Sequence, residues 1–196
     1  LNPKFEKGFN RTYWSFESKG IRMPGGGMFR QKENEEPTGP NVLPGDYKIK
    51  LTYKNVTDST SVKVLFDPRL NVKKEDLLER QNLFNELKPK LEIVTKATDG
   101  LDAAEKTIGL VDEKIKDKNF AELNKLSKSI KDSIKTLREL VTAPRVQGMM
   151  TNENVLSSKL RRAYGSVTGY WDKPGDTERI NLMIFESAYK VVIERI

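Results

Sequence analysis

Two different periods of apolar and polar residues divide the chain. Tyr47, Ile49, Leu51 and Tyr53 alternate with Lys48, Lys50, Thr52 and Lys54. A period of two predicts a strand with an apolar face turned inward and a lysine face in water. Residues 55–59 read as a hairpin loop, and Val62, Val64 and Phe66 as the partner strand. Asp67-Pro68 ends that strand, because proline has no N–H for a ladder. Upstream, residues 9–18 read as a strand with Trp14 and Phe16 on one face. A long irregular stretch, residues 20–45, carries the turn signals Pro24-Gly25-Gly26-Gly27 and Pro37-Thr38-Gly39-Pro40.

After residue 71 the apolar positions fall three and four apart. Phe84, Leu87, Leu91, Val94, Thr98, Leu101, Ile108 and Ile115 keep one heptad-like register through Pro89 and Gly100. Residues 74–116 are therefore one kinked helix or two collinear ones. Phe120, Leu123, Ser127, Ile130, Ile134, Leu137 and Val141 predict the next helix, with Asn119 placed to cap it. Two more follow, over residues 154–170 and from Pro174 or Asp176 to the end. The last is apolar nearly all round (Ile180, Leu182, Met183, Ile184, Phe185, Tyr189, Val191, Val192, Ile193), which predicts a place at the centre of a bundle. The expected class is α+β: a β module over residues 1–70 and an antiparallel bundle of three or four helices over residues 71–196. The β module has too few strands to close a sandwich. Its missing strands are expected upstream of Leu1, or its edge lies under another domain.

Composition then removes whole classes of chemistry. The 196 residues include no Cys and no His. Disulfides, thiol nucleophiles and Cys-ligated metals are excluded, as is any Ser-His-Asp or Cys-His triad. The net charge of +7 divides as +4 over residues 1–70 (12 basic, 8 acidic) and +3 over residues 71–196 (23 basic, 20 acidic). Opposite signs interleave, as in Asp112-Glu113-Lys114-Ile115-Lys116-Asp117-Lys118. That pattern reads as a solvated helix face, so nucleic acid is not an expected partner. No apolar run reaches the roughly 18–20 residues of a membrane span. No cofactor and no metal are expected.

Three segments in order carry a family resemblance. They are Gly8-Phe9-Asn10-Arg11-Thr12-Tyr13-Trp14-Ser15-Phe16, then Leu43-Pro44-Gly45-Asp46-Tyr47-Lys48-Ile49-Lys50-Leu51, then Val64-Leu65-Phe66-Asp67-Pro68-Arg69. Together they resemble the Ig-like domain near the C-terminus of secreted bacterial sortilin-like β-propeller proteins with BNR (Asp-box) repeats, where a charged helical region follows. Ser15 departs from the family, which often has Asp there. The resemblance implies a partial Ig-like β-sandwich module truncated on its N-terminal side, a secreted or periplasmic location, and an upstream β-propeller of the same chain as partner. Such proteins are often labelled glycosyl hydrolases, but no Ser-x-Asp-x-Gly-x-Thr-Trp box occurs here. The expected role is a non-catalytic accessory region that braces the propeller or presents a protein- or glycan-binding surface. The alternatives are a part of a glycoside hydrolase supplying carboxylates to a site shared with the propeller, and a helical oligomerisation module.

The residues themselves suggest where a surface lies. Arg161, Arg162, Tyr164, Tyr170 and Trp171 form the densest aromatic-plus-basic cluster. Trp14, Pro44, Gly45, Tyr47, Asp67, Pro68 and Arg69 are expected to be structural, with Arg69 tying down the strand-to-helix corner. Gly25-Gly26-Gly27 lacks the ending of a phosphate loop, and Glu35-Glu36 lacks apolar surroundings. Asp99, Asp102 and Glu105 lack the spacing of a calcium loop and read as a solvated helix face.

Overall fold

The computed structural model describes residues 6–24, 37–116, 120–142 and 154–196. These form an α+β structure with two small sheets and four helices. Strands β1 (Glu17–Lys19) and β2 (Thr38–Asn41) pair antiparallel, as do β3 (Gly45–Tyr53) and β4 (Val56–Val64). The helices are α1 (Lys74–Ile115), α2 (Ala121–Val141), α3 (Leu156–Thr168) and α4 (Asp176–Ile193).

The alternation from Tyr47 to Tyr53 is a strand, and its register is Tyr47 opposite Val62 through Tyr53 opposite Val56. Opposed residues share a face. Tyr47/Val62, Ile49/Thr60, Leu51/Asp58 and Tyr53/Val56 therefore lie on one side, and Lys48/Ser61 and Lys50/Ser59 on the other. The expected inward burial of the apolar side does not occur: Ile49, Leu51 and Tyr53 are 43%, 52% and 58% exposed. A lone two-stranded sheet has no second layer to lie on. The connection is also shorter than the expected loop over residues 55–59. Lys54 takes φ +51°, so the chain reverses at Lys54-Asn55 and β4 begins at Val56.

Residues 9–16 are not strand, and Phe9 and Tyr13 are exposed. The chain bends at Phe16, φ +59°, before the short β1. Trp14 is half-buried beside it. Its ring meets Phe16 at 5.3 Å and Tyr47 at 5.4 Å edge-on, and its Nε1–H donates to the Glu17 carbonyl at 3.0 Å. β1 and β2 approach so closely that a Cβ on Gly20 would stand 2.1 Å from the Thr38 carbonyl oxygen.

α1 is one helix of 42 residues, about 63 Å long at 1.5 Å per residue. It runs through Pro89 because that position is exposed, so water can solvate the Asn85 carbonyl that lacks its donor. Leu83, Phe84, Leu87, Leu91 and Val94 of α1 pack against Leu156, Leu160, Ala163 and Val167 of α3 and Leu182, Phe185 and Val192 of α4. Ile21 and Met23 pack on the same core, and the Thr95 hydroxyl donates to the Arg22 carbonyl at 2.8 Å. The N-terminal segment is thus tied to the helices. α4 does not sit at the centre as its composition predicted. Leu182 and Phe185 are buried, whereas Ile180, Met183, Ile184 and Val191 are exposed, because α3 and α1 cover one side of it only. Among the described residues no helix is long and apolar enough to cross a membrane.

Candidate functional site

The most tightly held polar side chain is Arg80. It stands on the buried stripe of α1 between Leu77 and Phe84 and is 5% exposed. Its Nε–H donates to the Asp172 carbonyl, and Nη1 donates to the Ser166 carbonyl at 3.0 Å. Nη2 donates to the carboxylates of Asp172, at 2.8 Å, and Glu178, at 3.3 Å. Carbonyls in the last turn of a helix have no intrahelical donor, so Arg80 closes the C-terminal end of α3. The second oxygen of Glu178 accepts the Gly175 N–H at 2.9 Å and so holds the start of α4. Two acceptor carboxylates and the carbonyls compensate the buried charge. The Tyr170 ring covers the guanidinium at 5.8 Å.

This anchor fixes the loop between α3 and α4 and holds Trp171, 44% exposed, as the wall between two adjoining clefts. The first, about 510 Å³, lies between β2 and α1 and carries Tyr47, Tyr170, Lys19, Lys88, Asn41 and Asn85. The second, about 530 Å³, is mainly apolar, with Phe16, Val42, Val64, Leu65, Phe66 and Leu70. Asn41, Val42, Leu77 and Trp171 border both.

The structure divides the five-residue cluster read from the sequence. Tyr170 and Trp171 stand at the clefts. Tyr164 turns toward the core, its ring 6.0 Å from Phe84, and burial, with Glu17 adding, pushes its phenol above the usual pKa. Arg161 and Arg162 lie back along α3, and Arg162 borders a separate depression of about 170 Å³ with Lys159 and Asn181. The cation beside the aromatic pair is Arg80, from a different helix. Its one sequence signal was a charge placed three and four residues from Leu77 and Phe84, where the helical period calls for an apolar side chain.

The residues expected to be structural also have definite places. Pro44 and Gly45 lead into β3, and the Tyr47 hydroxyl donates back to the Leu43 carbonyl. Arg69 grips Asp67 with two donors, Nη2 to Oδ2 at 2.6 Å and Nε to Oδ1 at 2.9 Å. That grip lowers the Asp67 pKa and raises that of Arg69. Asp67 is the one carboxylate among the described residues lining either cleft, whereas a glycosidase needs two across its bond. Asp99 pairs with Arg22, while Asp102 and Glu105 share Arg138, so these three carboxylates join elements and do not form an open ligand set. Among the described residues no cluster of acidic groups is arranged to hold a metal. Gly25-Gly26-Gly27, Glu35-Glu36 and Asn119 lie outside the described residues. No family model, curated protein or solved structure matches the chain.

Proposed function

We propose that this chain is a non-catalytic interaction region, in which a partial Ig-like β module and a helical bundle present a binding surface to the larger protein they serve. One observation carries the reading: the apolar side of the β3–β4 hairpin is exposed, and a cleft of mainly apolar side chains begins at the hairpin's Gly45–Val64 end. Ile49, Leu51, Tyr53 and Val56 are exposed there, as are Leu65, Phe66 and Trp171. Apolar area of this extent on one side of a protein marks a contact surface, and the unpaired edges of a two-stranded sheet can accept a further strand. The resemblance names an upstream β-propeller of a secreted or periplasmic protein as the occupant. Hydrogen exchange of the chain with and without its native upstream segment tests this. Protection of amides in residues 47–66 only when that segment is present is expected. Equal exchange in both forms rejects the bracing role.

The first cleft favours a second reading, an anionic glycan. Trp171 and Tyr170 offer stacking faces, Lys19 and Lys88 offer charge, and Asn41 and Asn85 offer amide donors. Titration with an acidic oligosaccharide, followed by tryptophan fluorescence, is expected to saturate, with affinity lost in Trp171→Ala. An unsaturable response ends this reading. Among the described residues the glycoside hydrolase alternative finds Asp67 alone at the clefts, already gripped by Arg69. Glycoside turnover that disappears in Asp67→Asn would revive it.

A further inference from the structure

Beyond Leu101, α1 leaves the core and pairs with α2 as an antiparallel arm. Asp112 accepts bonds from Ser127 and Lys131, and Arg138 reaches Asp102 and Glu105. Leu101, Ile115, Ser127 and Ile134 are buried along this seam, and Val141 at its base joins the core. The helical turn of about 100° per residue then decides which residues lie on either side of it. One side presents Asp102, Lys106, Glu113, Lys128, Lys135 and Glu139, all charged, with Gly109 and Asn124 between them. The other side presents Gly100, Ala104, Thr107 and Val111 from α1. Beside them stand Leu126, Ile130, Ser133 and Leu137 from α2. None of these eight is charged, in a chain that is 32% charged. Leu126, Val111 and Ile130 are 57%, 46% and 39% exposed, and a Cβ on Gly100 would meet only open space.

This face is lopsided in a way that selects its occupant. Its α1 half is small and its α2 half is bulky. A second copy turned about a two-fold axis along the arm lays each bulky α2 into the other's small α1, with the crossing helices antiparallel. The seam contacts set the levels: Leu137 stands level with Ala104, and Ile130 with Val111. The rim agrees in charge. Lys114 of α1 and Glu122 of α2 flank the face near the tip of the arm, on opposite helices, so the same rotation puts each copy's Lys114 on the same edge as the other's Glu122, about 7.5 Å away along the axis. A self-complementary patch of this kind makes an isologous contact, and the product is a four-helix packing of the common antiparallel type. We infer that the α1–α2 arm is the contact by which two copies of this chain associate. Of the heptad register from Phe84 to Ile115, which favours an oligomerisation module, Phe84, Leu87, Leu91 and Val94 are used inside the chain against α3 and α4.

Sedimentation equilibrium of the full chain across the micromolar range tests the inference. The expected species has twice the 22.4 kDa chain mass. Ile130→Lys and Ala104→Arg, both at exposed positions, are each expected to weaken association by about tenfold to hundredfold with helicity unchanged. Lys128→Glu, on the charged side, is expected to leave it unchanged. Lys114→Glu weakens it, and adding Glu122→Lys restores it. A wild-type chain that stays at 22.4 kDa throughout overturns the inference. So does a dimer indifferent to both Ile130→Lys and Ala104→Arg. None of these variants touches the clefts or the β3–β4 hairpin, so this inference and the binding role fail separately.

Discussion

The two halves of α1 are one continuous helix with two different fates. Ten of its eleven buried residues lie at or before Leu101, and only Ile115 lies beyond it. The first half is covered by α3 and α4 as well as by the segment around Ile21 and Met23. Among the described residues the second half has α2 alone. Apolar residues occur in both, yet Leu110 and Val111 are 61% and 46% exposed whereas Leu87 and Leu91 are buried. Continuity of a helix is a local property, set by backbone bonds from one turn to the next. Burial is set by how many neighbours arrive, and two helices alone cannot cover each other's whole apolar width.

The contrast can be broken most severely at Arg80. Arg80→Ala removes the donor to Glu178 and to the Asp172 and Ser166 carbonyls and is expected to cost about 3–5 kcal/mol, the range for breaking a buried ion pair. Urea unfolding followed by far-UV circular dichroism reads it directly, and a midpoint equal to wild type would show that the anchor contributes nothing. Phe185→Ala, on α4 in the core that covers the first half of α1, is expected to cost about 3–5 kcal/mol by leaving a cavity. Native-state hydrogen exchange sharpens the same contrast without mutation. Amides of residues 102–115 and of α2 are expected to open at a lower free energy than those of residues 77–101, and uniform protection along α1 would remove the distinction between its halves.

Two smaller effects belong to the arm. Gly109 lies mid-helix with open space where a Cβ would stand, so Gly109→Ala is expected to stabilise by about 0.5–1 kcal/mol. A lower melting temperature in that variant would contradict this. Asp112 is the other. Its bonds from Lys131 and Ser127 hold its carboxyl below the ordinary value of 3.8. A depressed folded-state pKa contributes stability above the unfolded value and loses it as pH falls through the folded one. Arm helicity is therefore expected to decline on acidification below that value. Asp112→Asn should flatten the part of the decline that Asp112 supplies, and an identical acid titration in the variant would assign the decline elsewhere.

The helices were legible in the sequence because their period is local. The stripe from Phe84 to Leu101, the start of α4 at Asp176 and the passage into α1 near residue 74 all follow from residues a turn apart. What the sequence could not show was which stripes would find cover. Tyr47 to Tyr53 alternates as an inward-facing strand does, but among the described residues no second layer covers Ile49 and Leu51. Ile180 and Met183 failed for the same reason. The clefts were half legible: Tyr170 and Trp171 stood out as aromatics in a loop, but their cation comes from a residue ninety positions earlier, and no local spacing links Arg80 to Asp172.

That separation also orders events during synthesis. Arg80 and Asp172 are 92 residues apart. At a translation rate of about 5–20 residues per second, the ribosome needs roughly 5–20 s to supply the partners of Arg80 after making it. Throughout that interval Leu87, Leu91 and the rest of the α1 stripe emerge without α3 and α4 to cover them. Until α3 and α4 are made, α1 is an uncovered amphipathic rod, and residues 156–193 are the step that covers it.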